Sequence, residues 1–119
     1  MTGEPLLFET RVIDSDTLHC WIEVADGLAI QERLRIVGIE GGEFDTEKGQ
    51  INAARLHRII KTDQVGSLRF VGHRRVRDNH GRVVGDIRLA NGSLLSQTLL
   101  QTGLWTARTA YRCSASSEE

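Results

Sequence analysis

The fold is decided by an alternating stretch, Thr17-Leu18-His19-Cys20-Trp21-Ile22-Glu23-Val24. Its apolar side chains recur at every second position: Leu18, Cys20, Ile22 and Val24. Successive side chains of a strand point to opposite faces, so this alternation predicts a half-buried β-strand. A β-compatible run from Leu6 to Ile13 comes before it, and the polar turn Asp14-Ser15-Asp16 lies between the two. Together they predict a β-hairpin.

The pattern continues with a third strand and an amphipathic helix. A turn at Asp26-Gly27 leads into a predicted strand from Ile30 to Ile39. From Gly49 to Lys61 the apolar residues recur at helical spacing, which predicts a helix with one apolar stripe. The predicted stripe contains Ile51, Ala54, Leu56, Ile59 and Ile60. The predicted polar side contains Asn52, Arg55 and Arg58.

Two further strands and a short helix complete the predicted fold. The fourth strand begins at Leu68-Arg69-Phe70, and the fifth runs from Val83 to Leu89 after a turn at Asp78-Asn79-His80-Gly81. A second helix, from about Leu94 to Gln101, is followed by Gly103 as its C-terminal cap. Five strands with a helix between the third and the fourth predict a mainly β, α+β fold. We expect a five-stranded Greek-key barrel of the OB type with two helices.

Length and composition predict one domain over residues 1–119, with a core over about residues 6–111 and a frayed tail over residues 112–119. A chain of 119 residues with 39% hydrophobic and 26% charged residues can bury a hydrophobic core. We expect no membrane partner, because no apolar run approaches the ~20 residues that cross a bilayer. The start at Met1 lacks a secretory signal, which predicts a cytoplasmic protein, or a secreted one if a leader has been removed. Cys20 and Cys113 are too few and too distant to indicate a zinc site or a disulfide framework.

The basic residues are distributed unevenly. The formal net charge of −1 argues against a general nucleic-acid coat protein. Thirteen of the fifteen basic residues are Arg, and between Arg69 and Arg88 six arginines stand against two aspartates, a local charge of +4. Two interpretations stay open, a solvated hairpin rim and a phosphate-facing surface. Arg favours the second, because its guanidinium group can donate two parallel hydrogen bonds to phosphate oxygens.

The first candidate site is the segment Arg33-Leu34-Arg35-Ile36-Val37-Gly38-Ile39-Glu40-Gly41-Gly42-Glu43. Arginines open an apolar strand that runs into a Gly-Gly turn between two glutamates. Carboxylate oxygens suit hard divalent cations and Arg suits phosphate, so the segment predicts a site for a metal and a polyanion together. On an ideal strand, positions 35 and 40 point to opposite faces. Arg35 and Glu40 can share a pocket only if the strand coils or bulges between them, and Gly38 is the expected place.

Five blocks of the sequence resemble, in order and at compatible spacings, those of the staphylococcal-nuclease (thermonuclease) family. The blocks are Val12 to Leu18, Arg33 to Glu43, Gly49 with Ala53 and Leu56, Asp78 to Asp86, and Gly92 to Leu104. The resemblance covers roughly residues 8–111 and implies an OB barrel with helices, in agreement with the strand pattern. Longer members of the family continue past Tyr111 into a third C-terminal helix that is absent here. That absence implies either a smaller core or a homodimer in which a second copy covers the bare face.

The resemblance also implies an activity and a set of site residues. The implied activity is calcium-dependent hydrolysis of DNA and RNA with little sequence preference, leaving 3′-phosphate ends. The implied calcium ligands are Asp16, Glu40 and the backbone carbonyl of Gly41. The implied catalytic residues are Arg35 and Arg82, which grip the scissile phosphate, and Glu43, the general base. Tyr111 matches a position near the bound base, although an aromatic at a barrel edge is more often a packing residue.

The sequence departs from the family pattern at four positions: Ser15 for Gly, Glu40 for Asp, and Gly41-Gly42 for a small residue and Pro. The added methylene of Glu40 moves its carboxylate by roughly 1–1.5 Å, which leaves another divalent metal as an alternative to calcium. The alternative function is a barrel that has lost turnover and binds nucleic acid or protein. Taken alone, Asp14 and Asp16 could merely shape a turn, Glu43 could be a solvated acid and Arg82 a rim charge.

Overall fold

Five strands close into a barrel in the computed structural model, which describes residues 4–63 and 68–108. The strands along the chain are β1 (Leu6–Asp14), β2 (Thr17–Ala25), β3 (Leu28–Ile36), β4 (Ile39–Glu40), β5 (Leu68–Arg77), β6 (Val83–Arg88) and β7 (Thr106–Ala107). The helices are α1 (Glu47–Asp63) and α2 (Leu95–Gln101). Around the barrel the order is β1-β2-β3-β6-β5, and β4 pairs with β7 in a separate two-stranded sheet. The predicted OB-like α+β barrel with two helices is confirmed.

The barrel mixes antiparallel hairpins with one parallel pair. Strands β1, β2 and β3 pair antiparallel in sequence order, as do β5 and β6. Strand β3 pairs parallel with β6, with Leu34 opposite Val83 and Arg35 opposite Val84. This pairing places the end of β3 beside the start of β6, so side chains from the two segments meet at one end of the barrel.

The core forms largely as the alternation predicts. Leu18, Cys20 and Ile22 of β2 are all fully buried, and α1 packs against β1. The predicted stripe of α1 is partly wrong, because Ile51 and Ala54 are exposed while Asn52 is buried. The face toward the barrel contains Asn52, Leu56, Ile59 and Ile60. Asn52 is buried because its amide has partners there: it donates hydrogen bonds to two backbone carbonyls outside the helix.

The predicted third strand, Ile30 to Ile39, is interrupted before its end. Strand β3 ends at Ile36, the chain turns at Val37-Gly38, and Ile39 begins β4. Gly38 has a φ of 77°, a left-handed conformation that glycine adopts without the steric cost of a Cβ. The break falls at the expected residue, but it is a turn between two strands instead of a bulge within one. The pairing of β4 with β7 has no counterpart in the sequence pattern.

The second helix matches its prediction closely. It begins one residue later than expected, at Leu95, and Gly103 follows its C-cap with a φ of 77° and donates its N–H to the Leu100 carbonyl at 3.1 Å. The predictions for Tyr111, Cys113, the frayed tail and the absent third helix lie outside the described residues. Within residues 4–63 and 68–108, neither helix has the length and apolar character needed to cross a membrane.

Candidate metal and phosphate site

Charged side chains from separate segments line one cavity of about 280 Å³ at an end of the barrel. The predicted site residues among them are Asp16, Arg35, Glu40, Glu43 and Arg82. Asp14, Gly42, His80 and Arg108 complete the lining. Four acidic and three arginine side chains therefore face one polar space. A cavity of this composition suits an anion and a cation bound side by side.

Arg35 is held nearly rigid at the end of β3. Only 4% of the residue is exposed, and its guanidinium group donates hydrogen bonds to the carbonyls of Ile36 (2.9 Å) and Ile39 (3.1 Å). Its Nη1 also lies 3.3 Å from Oδ2 of Asp16. The turn at Gly38 brings the Ile39 carbonyl back toward this guanidinium group. The same turn allows Arg35 and Glu40 to line one cavity, which a continuous strand would prevent.

Arg82 is fixed by the turn that carries it. Oδ1 of Asp78 accepts the backbone N–H groups of His80 and Arg82, each at 2.9 Å, and Oδ2 accepts Nε of Arg82 at 2.7 Å. Nη1 of Arg82 donates to Oγ1 of Thr17 at 3.2 Å. Burial, the largest single influence, raises the pKa of Asp78, but these hydrogen bonds and the positive charge of Arg82 together hold the pKa below its usual value. Asp78 is therefore an anionic anchor for Arg82.

The turn between β1 and β2 carries two carboxylates into the cavity. Oδ1 of Asp14 accepts the backbone N–H of Ser15 at 2.7 Å, and Oδ1 of Asp16 accepts the Thr17 hydroxyl at 2.9 Å. Burial raises the pKa of Asp14, the Ser15 hydrogen bond partly offsets this, and the charge of Asp16 adds to it. Asp14 was not among the predicted ligands, and only its closeness to Asp16 in sequence could have indicated it.

Gly41 is the predicted metal ligand that the structure does not bring into the cavity. Its carbonyl accepts a hydrogen bond from Nδ2 of Asn52 at 2.9 Å, and Gly41 is absent from the cavity lining among the described residues. Over residues 4–63 and 68–108, no three His, Cys, Asp or Glu side chains stand close enough together to form a ready-made metal cage. The chemistry of the donors nevertheless fits a hard divalent cation, because all four acids on the cavity offer carboxylate oxygens.

A second cavity of about 340 Å³ adjoins the first. Four residues line both: Arg35, His80, Arg82 and Arg108. The second cavity differs in having an apolar side formed by Val37, Val76 and Val84. The shared residues form a boundary between an acidic space and a partly apolar one.

Arg108 and His80 are two further cavity residues that the sequence patterns do not indicate. Arg108 directly follows β7, and its backbone N–H donates to the Gly38 carbonyl at 2.9 Å. The pairing of β4 with β7 thus places Arg108 at the site, and no local sequence pattern predicts that pairing. His80 lies in the predicted turn at Asp78 to Gly81. The four histidines of the sequence show no metal-ligand spacing, so no pattern marks His80 as a site residue.

The arginine-rich stretch between Arg69 and Arg88 is not a uniform phosphate-facing surface. Three of its six arginines form ion pairs: Arg77 with Glu32 (2.7 Å), Arg82 with Asp78 (2.7 Å) and Arg88 with Glu4 (2.9 Å). The hydrogen bonds that Arg77 donates to Glu32 and Arg88 donates to Glu4 raise the pKa of the two arginines. Arg82 lines the first cavity and Arg77 the second, so two of the three paired arginines also line a cavity.

Fold and site together define an OB-like barrel with carboxylates and arginines facing one another in a cavity at one end. No protein-family model matches the chain, and no curated protein sequence matches it significantly.

Proposed function

We propose that the chain is a metal-dependent nuclease of the staphylococcal-nuclease type, which hydrolyses DNA and RNA with little sequence preference. The observation that carries the proposal is the convergence of five predicted side chains on one cavity: Asp16, Arg35, Glu40, Glu43 and Arg82. These residues come from separate segments, and each has the charge that phosphodiester hydrolysis requires at its place.

The two arginines supply the positive charge that the reaction needs. Negative charge builds on the phosphoryl oxygens in the transition state, and donors that are already oriented stabilise it without reorganising. Arg35 is fixed by the carbonyls of Ile36 and Ile39, and Arg82 is fixed by Asp78. Guanidinium groups can approach two phosphate oxygens at once, which a lysine ammonium group does less well. Arg108 adds a third guanidinium-bearing residue to the cavity lining.

Glu43 is the proposed general base. Its side chain is exposed on the cavity and therefore accessible to water. It accepts a proton from the attacking water while the water oxygen bonds to phosphorus. The bond to the 5′ oxygen breaks, and that oxygen takes a proton from solvent, which leaves a 3′-phosphate end. Positioned general bases contribute roughly 10²–10⁴-fold to such rates.

Asp16 and Glu40 are the proposed calcium ligands, with Asp14 as a further acid on the same cavity. A bound divalent cation would neutralise charge on the phosphoryl oxygens. Asp16 keeps acceptor capacity beyond its contacts with Thr17 and Arg35, because a carboxylate offers about four lone-pair sites. The longer side chain of Glu40 leaves a divalent metal other than calcium as an alternative.

Cleavage of single-stranded DNA in millimolar calcium tests the proposal. We expect the purified protein to cut, chelation to stop it, and Asp16→Asn to abolish most of the activity. Asp26→Asn is the matched control, because Asp26 is an exposed acid of the β2–β3 turn and does not line the cavity. Uncut DNA in wild-type reactions, or an Asp16→Asn variant as active as the wild type, would overturn the proposal.

A second candidate function, a barrel that binds nucleic acid without turnover, is favoured by one observation. The second cavity joins an apolar side to Arg35, Arg82 and His80, a combination that suits a base with its phosphate. Such a protein would bind labelled single-stranded DNA in the presence of a chelator and release no calcium-binding heat in calorimetry. Calcium heat that disappears in Asp16→Asn would favour the nuclease instead.

A further inference from the structure

Two of the departures from the family pattern contact each other. Ser15 is fully buried, and its hydroxyl donates to the Gly42 carbonyl at 2.8 Å. The indole Nε1 of Trp105 donates to the Ser15 carbonyl at 2.8 Å, and only 2% of Trp105 is exposed. Ser15 therefore bridges the loop at Gly41-Gly42 and the segment after α2. The acids Asp14, Asp16, Glu40 and Glu43 flank this bridge in sequence.

The space beside Trp105 explains why position 41 is glycine. A Cβ added to Gly41 would lie 2.3 Å from Nε1 and 2.6 Å from Cδ1 of Trp105, and 3.0 Å from Cβ of Ser15. Real Cβ atoms do not approach other atoms so closely, so the indole occupies the volume that any side chain at position 41 would need. Gly41 and Trp105 are a matched small–large pair, and the glycine is a packing requirement.

Asn52 fixes the same contact from the helix side. Its Nδ2 donates to the carbonyls of Gly41 (2.9 Å) and Leu104 (3.0 Å), and only 2% of the residue is exposed. One amide group therefore ties the loop at Gly41 to the residue preceding Trp105. Buried hydrogen bonds of this kind are costly to break, because each lost partner leaves a polar group unsatisfied.

We propose that Ser15 and Trp105 are positioning residues that hold the Glu40–Glu43 loop against the Asp14–Asp16 turn. The two segments carry four acids into a cavity that also contains three arginines, and the Arg35–Asp16 pair at 3.3 Å offsets part of the repulsion between the carboxylates. The neutral contacts through Ser15, Gly41 and Trp105 oppose this repulsion and keep the two segments together without a metal. The chemistry that this arrangement serves rests on the proposed nuclease function, but the arrangement itself can be tested without it.

Native-state proteolysis in chelator tests the positioning role. A glutamate-specific endoprotease would cut after Glu40 or Glu43 when the loop opens, and mass spectrometry locates the cut. We expect Ser15→Ala to speed this cleavage about fivefold, the ratio that corresponds to losing one neutral hydrogen bond of ordinary strength. Ser93→Ala, at an exposed serine, should leave the rate unchanged. Wild-type rates in Ser15→Ala would overturn the proposal.

A destabilised core variant separates positioning from general loss of stability. Ile60→Val removes a buried methylene from the helix side of the core and so lowers stability. At a melting temperature matched to that of Ser15→Ala, Ile60→Val should not speed cleavage at Glu40 and Glu43 selectively. Gly41→Ala should displace Trp105 and shift its fluorescence to the red in a Trp21→Phe background, in which Trp105 is the remaining tryptophan. An unshifted spectrum would contradict the proposed Gly41–Trp105 packing.

Calcium calorimetry then links the positioning role to the proposed function. We expect Ser15→Ala to bind calcium about fivefold more weakly than the wild type. In the variant, part of the binding free energy is used to order the loop. If the wild type binds no calcium, the nuclease proposal fails while the proteolysis result still decides the positioning role. If calcium binds equally to both proteins, the link between the loop and the metal site is wrong.

Discussion

Two loops deliver charged side chains to the same cavity, and they are held by different means. The Asp78–Arg82 turn is fixed from within, because Asp78 accepts three hydrogen bonds from His80 and Arg82. The Glu40–Glu43 loop has one local anchor, the Glu43 carbonyl that accepts two hydrogen bonds from Thr46. It is otherwise fixed from outside, by the distant residues Ser15, Asn52 and Trp105. Locally fixed turns tolerate change elsewhere in the fold. Loops fixed from a distance depend on the whole packing around them.

Trp105→Ala should have the largest effect on the difference between the two loops. Removing a buried tryptophan should cost about 3–5 kcal/mol in the free energy of unfolding, since the change leaves a cavity and unpairs the Ser15 carbonyl. The Glu40–Glu43 loop should loosen while the Asp78–Arg82 turn keeps its form. Urea denaturation measures the loss in the free energy of unfolding. Trp21→Phe is the control, because Trp21 is half-buried and stacked on Phe8, with ring centroids 6.5 Å apart.

The next largest effect concerns the charge that each loop delivers. Under the proposed function, Glu43→Gln and Arg82→Lys should each lower the rate of DNA hydrolysis by about 10²-fold, because one removes the proposed base and the other a guanidinium group that can donate two parallel hydrogen bonds. Glu43→Gln should unfold at nearly the wild-type urea concentration, whereas Arg82→Lys should unfold at a lower one, because it loses hydrogen bonds to Asp78 and Thr17. Glu47→Gln and Arg74→Lys, at exposed positions outside the cavity, should keep full activity. A large difference between the hydrolysis rates of Glu43→Gln and Arg82→Lys would show that the two loops do not serve one reaction.

A smaller effect is expected in the pH dependence of the free energy of unfolding, which tests Asp78 as the anchor of its turn. The pKa of Asp78 is lowered in the fold, so its stabilising contribution is complete above the unfolded value of 3.8 and is lost as pH falls through the folded value. Asp78→Asn should cost about 1.5–3 kcal/mol at neutral pH, the range for hydrogen bonds to a charged group. Unfolding free energies measured at pH 7 and below pH 3.8 should fall more steeply for wild type than for the variant. Equal slopes would show that Asp78 is not the anchor.

The smallest expected effect is a gain. If the longer side chain of Glu40 distorts a calcium site, Glu40→Asp should raise activity in calcium by a few fold, because a displaced ligand weakens transition-state stabilisation. Initial rates at saturating calcium measure it, and Glu32→Asp, at an acid paired with Arg77 outside the first cavity, is the control. A clear loss would show that the loop has adapted to glutamate.

The same contrast explains which features could be predicted from sequence. The alternation of β2, the turn at Asp78 to Gly81 and the cap at Gly103 depend on neighbouring residues, and the structure has all three. The burial of Asn52 and the arrival of Arg108 at the cavity depend on partners far along the chain. Apolar spacing predicts that Ile51 lies on the buried face of α1. Asn52 is buried there instead, because it donates hydrogen bonds to two backbone carbonyls that need a donor.

The parallel pairing of β3 with β6 also bears on the order of folding. The hairpins β1–β2–β3 and β5–β6 close through short connections, whereas the parallel pair of β3 with β6 requires the chain to cross over through β4, α1 and β5. Closing a long loop is entropically slow compared with forming a hairpin. Arg35 and Arg82 stand on opposite sides of that seam. A partly folded chain can thus contain every hairpin and still have no assembled cavity, so the cavity forms only when the barrel closes.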